Sequence, residues 1–257
     1  MGPAANGLKG RVALVTGGNR GIGAAIALGL AADGADVAIN YRRDQDRARA
    51  TAKAIEALGR RVELYQASVD DLEADARMVE AITADFGGID IFVHSAGIAS
   101  RGQSVTDTNP EEIERVWRVH ALSAFALSKM IVPGMRTRPR GDIVYISSAA
   151  TVMWGANSAP YNMAKAALEA LARTLAKEER THGIHVNVVA PGLVDTEMGR
   201  RLARGAMGVD DIHQLDSNAP FEHVCSPEEV ADVVRFVVSV AARYLTDQKI
   251  VVDGGTF

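Results

Sequence analysis

Short apolar runs alternate along the chain with stretches of helical periodicity. The strand-like runs are Val12–Thr16, Asp36–Asn40, Val62–Gln66, Ile89–His94, Asp142–Ser147, His185–Ala190 and Lys249–Val252. A strand with one face in water alternates apolar and polar residues, and several of these runs do not, as expected of strands buried on both faces. Helical patterns fall near 22–33, 44–58, 72–86, 110–135, 159–181 and 227–242. Asn109-Pro110-Glu111-Glu112 supplies an N-cap, a proline at the first helical position and acids in the first turn. Ser226-Pro227-Glu228-Glu229 adds a capping-box glutamate. Gly34, Gly59 and Gly183 stand where helices should stop. This alternation predicts an α/β fold, a doubly wound, mainly parallel sheet of seven strands. No linker or repeat interrupts it, so residues 1–257 read as one domain, with a long excursion near 193–225 placed as a lid.

Composition narrows the function classes. A chain of 257 residues that is 47% hydrophobic can form a sizeable core. Its net charge of −4 argues against a general nucleic-acid binder. No apolar run reaches membrane-spanning length, and the start of the chain lacks a secretory apolar segment. Cys225 is the only cysteine, which excludes an intrachain disulfide and a cysteine-rich metal site and fits a cytoplasmic protein.

Two stretches carry candidate chemistry. Thr16-Gly17-Gly18-Asn19-Arg20-Gly21-Ile22-Gly23 leaves the first strand and opens the first helix. Glycines there admit a tight turn and close approach of a pyrophosphate, while the helix start offers free N–H groups. At the end of the second strand stand Asn40, Tyr41, Arg42 and Arg43 rather than the acid that holds a ribose 2′-hydroxyl, which favours NADP(H) over NAD(H). Alternatively these arginines form a solvated face neutralised by Asp44 and Asp46. The second stretch is Tyr161-Asn162-Met163-Ala164-Lys165, with Ser148 upstream. Residues four apart share a helix face. An ammonium ~5 Å from the phenol, at an effective dielectric of ~20, favours the phenolate by roughly 3 kcal/mol, or about two pKa units. The expectation is a tyrosine drawn toward neutral pH for proton transfer to or from an oxygen.

Together these motifs resemble the short-chain dehydrogenase/reductase family, near the 3-oxoacyl carrier-protein reductases. Ala96-Gly97, Asn187–Gly192 and the terminal Val252-Asp253-Gly254-Gly255 extend the likeness over nearly the whole chain. The resemblance implies a Rossmann-type fold and hydride transfer between nicotinamide and a ketone or secondary alcohol. Tyr161 would be the general acid/base, Lys165 would hold the nicotinamide ribose, and Ser148 would stabilise the substrate oxygen. It further implies dinucleotide contacts at Gly17, Asn19, Arg20, Gly21, Ile22, Gly23, Tyr41, Arg42, Arg43, Ser68, Val69, Ser95, Ala96, Gly97, Pro191, Gly192, Val194 and Thr196. A homotetramer, a small carbonyl or alcohol substrate, carrier-bound or free, and no metal are implied as well. Two other readings are an alcohol or sugar dehydrogenase working oxidatively and a non-catalytic NADP(H) sensor.

Several positions depart from the family pattern. His94 and Ser95 replace a pair of asparagines, and they are expected to tie strands together in another way. Ser68 replaces an aspartate that accepts from adenine. His120 replaces the helix asparagine of the proton relay, either as a relay that titrates near pH ~6.5 or as simple packing. Thr246-Asp247-Gln248 changes a turn. Arg136, Arg138 and Arg140 form a loose basic group of the kind that meets a carrier protein, and Arg200, Arg201 and Arg204 are offered either to an anion or to solvent.

Overall fold

The structure, a computed structural model, describes residues 7–257; the first six, on which part of the expectation about the chain's start rests, lie outside the described residues. Among the described residues, seven parallel strands form one sheet: β1 (Val12–Thr16), β2 (Asp36–Tyr41), β3 (Val62–Gln66), β4 (Ile91–His94), β5 (Gly141–Ile146), β6 (Ile184–Pro191) and β7 (Lys249–Val252). Their order is β3-β2-β1-β4-β5-β6-β7. The order reverses direction between β1 and β4, and the crevice beyond their carboxyl ends is where such sheets bind ligands.

The helices are α1 (Gly21–Ala32), α2 (Gln45–Ala57), α3 (Leu72–Phe86), α4 (Pro110–Trp117), α5 (Ser123–Met135), α6 (Ala150–Met153), α7 (Ala159–Glu179), α8 (Glu197–Leu202) and α9 (Pro227–Val237). Their starts follow local chemistry. Asp71 accepts from the amides of Glu73 and Ala74 at the head of α3. Asn109 caps α4 ahead of Pro110, and Ser226 and Glu229 form a complete capping box on α9. Ile26, Leu30, Ile55, Val230 and Val234 fill one face of the sheet. Met78, Ile82, Leu127, Ile131, Leu168 and Leu175 fill the other.

Two local features differ from the sequence expectation. The helix expected over 110–135 is interrupted by a π-turn, Arg118–Leu122, between α4 and α5. The excursion after β6 is not bare loop. It holds α8 and 3₁₀ turns around a small core of Ala203, Ile212 and Val224. Its ends meet, with Val194 bridged to Cys225 and the Asp195 amide donating to the Cys225 carbonyl at 2.8 Å.

Candidate active site

The glycine turn and the loop after β4 meet at the switch point. Gly17 has φ +65°, and a Cβ there would lie 3.1 Å from the Ala96 Cα, so only glycine lets the two loops touch. Thr16 Oγ1 accepts from the amides of Ser95 and Ala96, each at 3.1 Å. Asn40 binds the turn from β2: its carbonyl accepts from Gly18 at 3.0 Å, and its amide donates to the Ala67 carbonyl at 3.0 Å. Thr196 caps α8 by accepting from Gly199, and its methyl would stand 3.2 Å from a Cβ at Gly21. The loops holding Gly17 to Gly23, Ser95 to Gly97 and Thr196 therefore frame one cradle, closed by contacts that only glycine admits.

At the end of β2 Tyr41 is buried while Arg42 and Arg43 are exposed. Asp44 caps α2 and pairs with Arg47 at 3.1 Å, and so does not neutralise its neighbours Arg42 and Arg43 through a direct ion pair. Arg20 pairs with Glu197 at 2.7 Å across the mouth of the cradle. Ser68 donates its hydroxyl proton to Asp70, which leaves its oxygen free to accept; Val69 beside it is buried. The six other arginines singled out in the sequence are engaged. Arg200 pairs with Asp195, Arg201 with Glu197 and Arg204 with Asp210. Arg136 is held by Glu179, Arg138 by Asp90 and Arg140 by Asp142. This last trio leads into the amino end of β5, the sheet end opposite Ser148, so as a basic group it lies away from the crevice.

On the catalytic side, Ser148 follows β5 and its Oγ accepts from the Ala150 amide at 3.1 Å. Pro191 is drawn in by the Ala149 amide, at 2.8 Å, and Gly192 donates to Val252 of β7 at 2.9 Å. Lys165, on α7, is 4% exposed and donates to the Ile146 carbonyl at 2.7 Å. Its ammonium lies 5.7 Å from the centre of the Tyr161 ring. Burial pulls the Lys165 pKa down to about 7, against the pull of Glu169. The Tyr161 phenol moves the opposite way from the sequence expectation. Burial raises its pKa, and the nearby Ser148 hydroxyl only opposes that rise. Pair arithmetic had counted the lysine's charge and omitted the removal of both groups from water.

His120 sits in the π-turn with its ring 5.4 Å from that of Tyr161, edge to face. Its Nε2 is 2.9 Å from the Ile98 carbonyl oxygen, and its Nδ1 is buried without a partner among the described residues. Burial and the charge of Lys165 hold its pKa well below the usual imidazole value. His120 therefore stays neutral at physiological pH, and a relay that titrates near 6.5 is corrected. A Cβ at Gly97 would lie 2.7 Å from its ring, which fixes glycine at that position. His94, at the end of β4, binds Thr16 of β1 and Ser123 of α5, so the imidazole ties its strand to a neighbouring strand and to a helix.

Sequence reasoning missed Glu169. Its carboxylate accepts from Ser147 at 2.7 Å and Thr151 at 2.6 Å, and it pairs with Lys249 of β7 at 3.0 Å. It brackets Ser148 on both sides. The signal was present, since Glu169 follows Lys165 by four residues on the same helix.

Comparison with known proteins agrees with this layout. The family model described as enoyl-(acyl carrier protein) reductase matches residues 17–256. Versicolorin reductase 1 of Aspergillus parasiticus is 37% identical over 97% of each chain. The 3-oxoacyl-(acyl-carrier-protein) reductase FabG of Escherichia coli is 35% identical over 97% of this chain and 98% of its own. The L-sorbose reductase of Gluconobacter frateurii, solved with NADPH and L-sorbose, superposes with a TM-score of 0.91 at 33% identity, covering 99% of each chain. The fold and site define a Rossmann-type oxidoreductase that works between carbonyl and carbinol groups. The chain belongs to the short-chain dehydrogenase/reductase family.

Proposed function

We propose that the protein is an NADP(H)-dependent carbonyl reductase with Tyr161 as its general acid. The observation that carries this reading is the convergence of Ser148, Tyr161 and Lys165 beside the glycine cradle. A dinucleotide held in the cradle would supply the hydride. Tyr161 donates its phenolic proton to the substrate oxygen, and Ser148 hydrogen-bonds that oxygen as its charge develops. Lys165, close to the phenol, stabilises in its ammonium form the phenolate left behind. Burial of Tyr161 suits an acid, because a phenol with a raised pKa keeps its proton until a carbonyl takes it. In the oxidative direction the same groups act in reverse.

The preference for NADP(H) is supported by exposed Arg42 and Arg43, by Arg20 at the mouth, and by the NADPH bound to the sorbose reductase. Gly17, Asn19, Gly21, Ile22 and Gly23 would hold the pyrophosphate; Ser68 and Val69 would flank adenine. Ser95, Ala96 and Gly97 would line the ribose, and Pro191, Gly192, Val194 and Thr196 would face the nicotinamide. His120 acts as a neutral support for Ile98, with Nδ1 the atom left for a proton relay. Residues 193–225 form the lid of a single domain. Exposed Met153, Trp154, Leu202 and Met207 favour a substrate with an apolar body, free or carrier-bound. Exposed Trp117, Phe125, Met163, Tyr244 and Phe257 favour a homotetramer, which light scattering on the eluted protein checks. The unpaired Cys225 fits a cytoplasmic enzyme.

The test is NADPH consumption with a panel of ketones and β-ketoacyl thioesters, for the wild type and Tyr161→Phe. Turnover in the wild type should fall by about 10²-fold or more in the variant, with NADPH binding kept. Near-wild-type turnover by Tyr161→Phe would sink the assignment.

A further inference from the structure

We propose that His94 is a positioning residue for the reaction: it joins the loops that frame the dinucleotide cradle to the π-turn behind Tyr161 through a one-way chain of hydrogen bonds. The inference rests on the active-site reading above. Thr16 Oγ1 accepts two amide protons, from Ser95 and Ala96. A hydroxyl has two acceptor positions and one proton, so the proton of Thr16 is left for His94 Nδ1, 3.1 Å away. Nδ1 must then be bare, and the ring proton sits on Nε2. Nε2 lies 3.2 Å from Ser123 Oγ and donates to it. Ser123 passes its own proton to the Val119 carbonyl at 2.7 Å. The chain thus runs from Thr16 to His94, Ser123 and Val119, and the backbone carbonyls of Val119 and His120 also face the His94 ring.

All the linking side chains are buried: Thr16 and Ser123 are fully enclosed and His94 is 1% exposed. Water cannot replace a lost link, and a second ring proton would face a saturated Thr16. The chain ends inside the π-turn, one residue before His120, whose ring touches that of Tyr161. Its other end fixes Ser95 and Ala96 against Gly17. Imidazole spans the gap between Thr16 and Ser123 with two nitrogens on opposite sides of a rigid ring.

Three measurements on the full-length protein decide the matter. The ¹⁵N spectrum of the wild type should show His94 as the Nε2–H tautomer; the Nδ1–H tautomer overturns the proposal. His94→Asn and Ser123→Ala should each lower kcat by roughly tenfold, the size of one buried group losing its partner. Neither residue reaches the substrate, so KM for the carbonyl compound should stay within about twofold. The double variant should be no slower than the slower single, because both break one link. Multiplying losses, or a folded single variant with wild-type kcat, overturns the proposal. Should His94→Asn fail to fold, the spectrum and Ser123→Ala decide. NADPH binding by the wild type, followed by fluorescence, tests the site reading separately. A wild type that neither binds nor turns over would defeat that reading, while the tautomer result would still stand.

Discussion

Glu169→Gln isolates the electrostatic support of Lys165. Glutamine keeps an oxygen to accept from Ser147 and Thr151, which donate to Glu169 Oε1 at 2.7 and 2.6 Å, so the segment that carries Ser148 keeps its anchors. What disappears is a negative charge one helical turn from Lys165. At ~6 Å and an effective dielectric of ~20 that charge is worth about 3 kcal/mol to the ammonium, or about two pKa units. The carboxylate also faces Lys249 at 3.0 Å, which spends part of its field elsewhere. The expected shift is therefore about one to two units, downward, from a Lys165 pKa of about 7. The ammonium is the form that supports the phenolate and is present below that pKa. Activity should be lost as pH rises through it. The assay is kcat/KM for NADPH against pH, which reports the free enzyme. The basic limb should move to lower pH in Glu169→Gln while the acid plateau falls less than about threefold. A limb that stays in place or moves up would refute the reasoning. Stability provides a second reading. The unfolded chain binds more protons between pH 7 and the ordinary lysine range, so wild-type stability gains from Lys165 as pH rises through that window.

Other consequences are as direct. Arg42→Ala with Arg43→Ala should raise KM for NADPH by about 10- to 100-fold and that for NADH by less than about threefold, measured by steady-state kinetics. Asp75 is fully buried with no partner for either oxygen among the described residues, and burial, with Asp71 and Asp70 near, raises its pKa to about 7. A raised carboxyl contributes stability at acid pH and loses it as pH rises through that value. Asp75→Asn should therefore stabilise the fold by about 1–3 kcal/mol at pH 8 and by little at pH 4, read from thermal melts. His120→Asn should leave the shape of the pH–rate profile unchanged between pH 6 and 8, because the histidine it removes is already neutral; a lost inflection near pH 6.5 would contradict this.

The seven strands were legible because apolar runs such as Val12–Thr16 can only be buried on both sides, and the helix starts at Asn109 and Ser226 because their caps are local chemistry. Ser148, Tyr161 and Lys165 were legible as types and spacings. The pKa of Tyr161 was not, since its sign depends on burial, which two residues cannot reveal. The π-turn escaped because the apolar pattern over 110–135 continues through it: one extra residue is taken up as a bulge without breaking the run. The link from His94 to Ser123 joins residues 29 apart. The roles of Asn40 and Thr16 likewise depend on contacts between strands that no local window contains.

The π-turn also limits how this gene can change. It holds one residue more than an α-helical turn needs and takes up that surplus as a bulge, so α4 and α5 stay in phase. Losing a single codon within 118–122 would restore an unbroken helix, locally the easier conformation, and leave Leu127, Ile131 and Met135 in the core. What would go is the bulge that sets His120 edge to face against Tyr161. A codon lost within 123–127 has no surplus to draw on, and would turn the rest of α5 by about 100°. Ile131 and Met135 would then leave the core, and Ser128 the Tyr145 hydroxyl it now meets at 2.6 Å. The same loss would thus cost the site in one stretch and the core in the next.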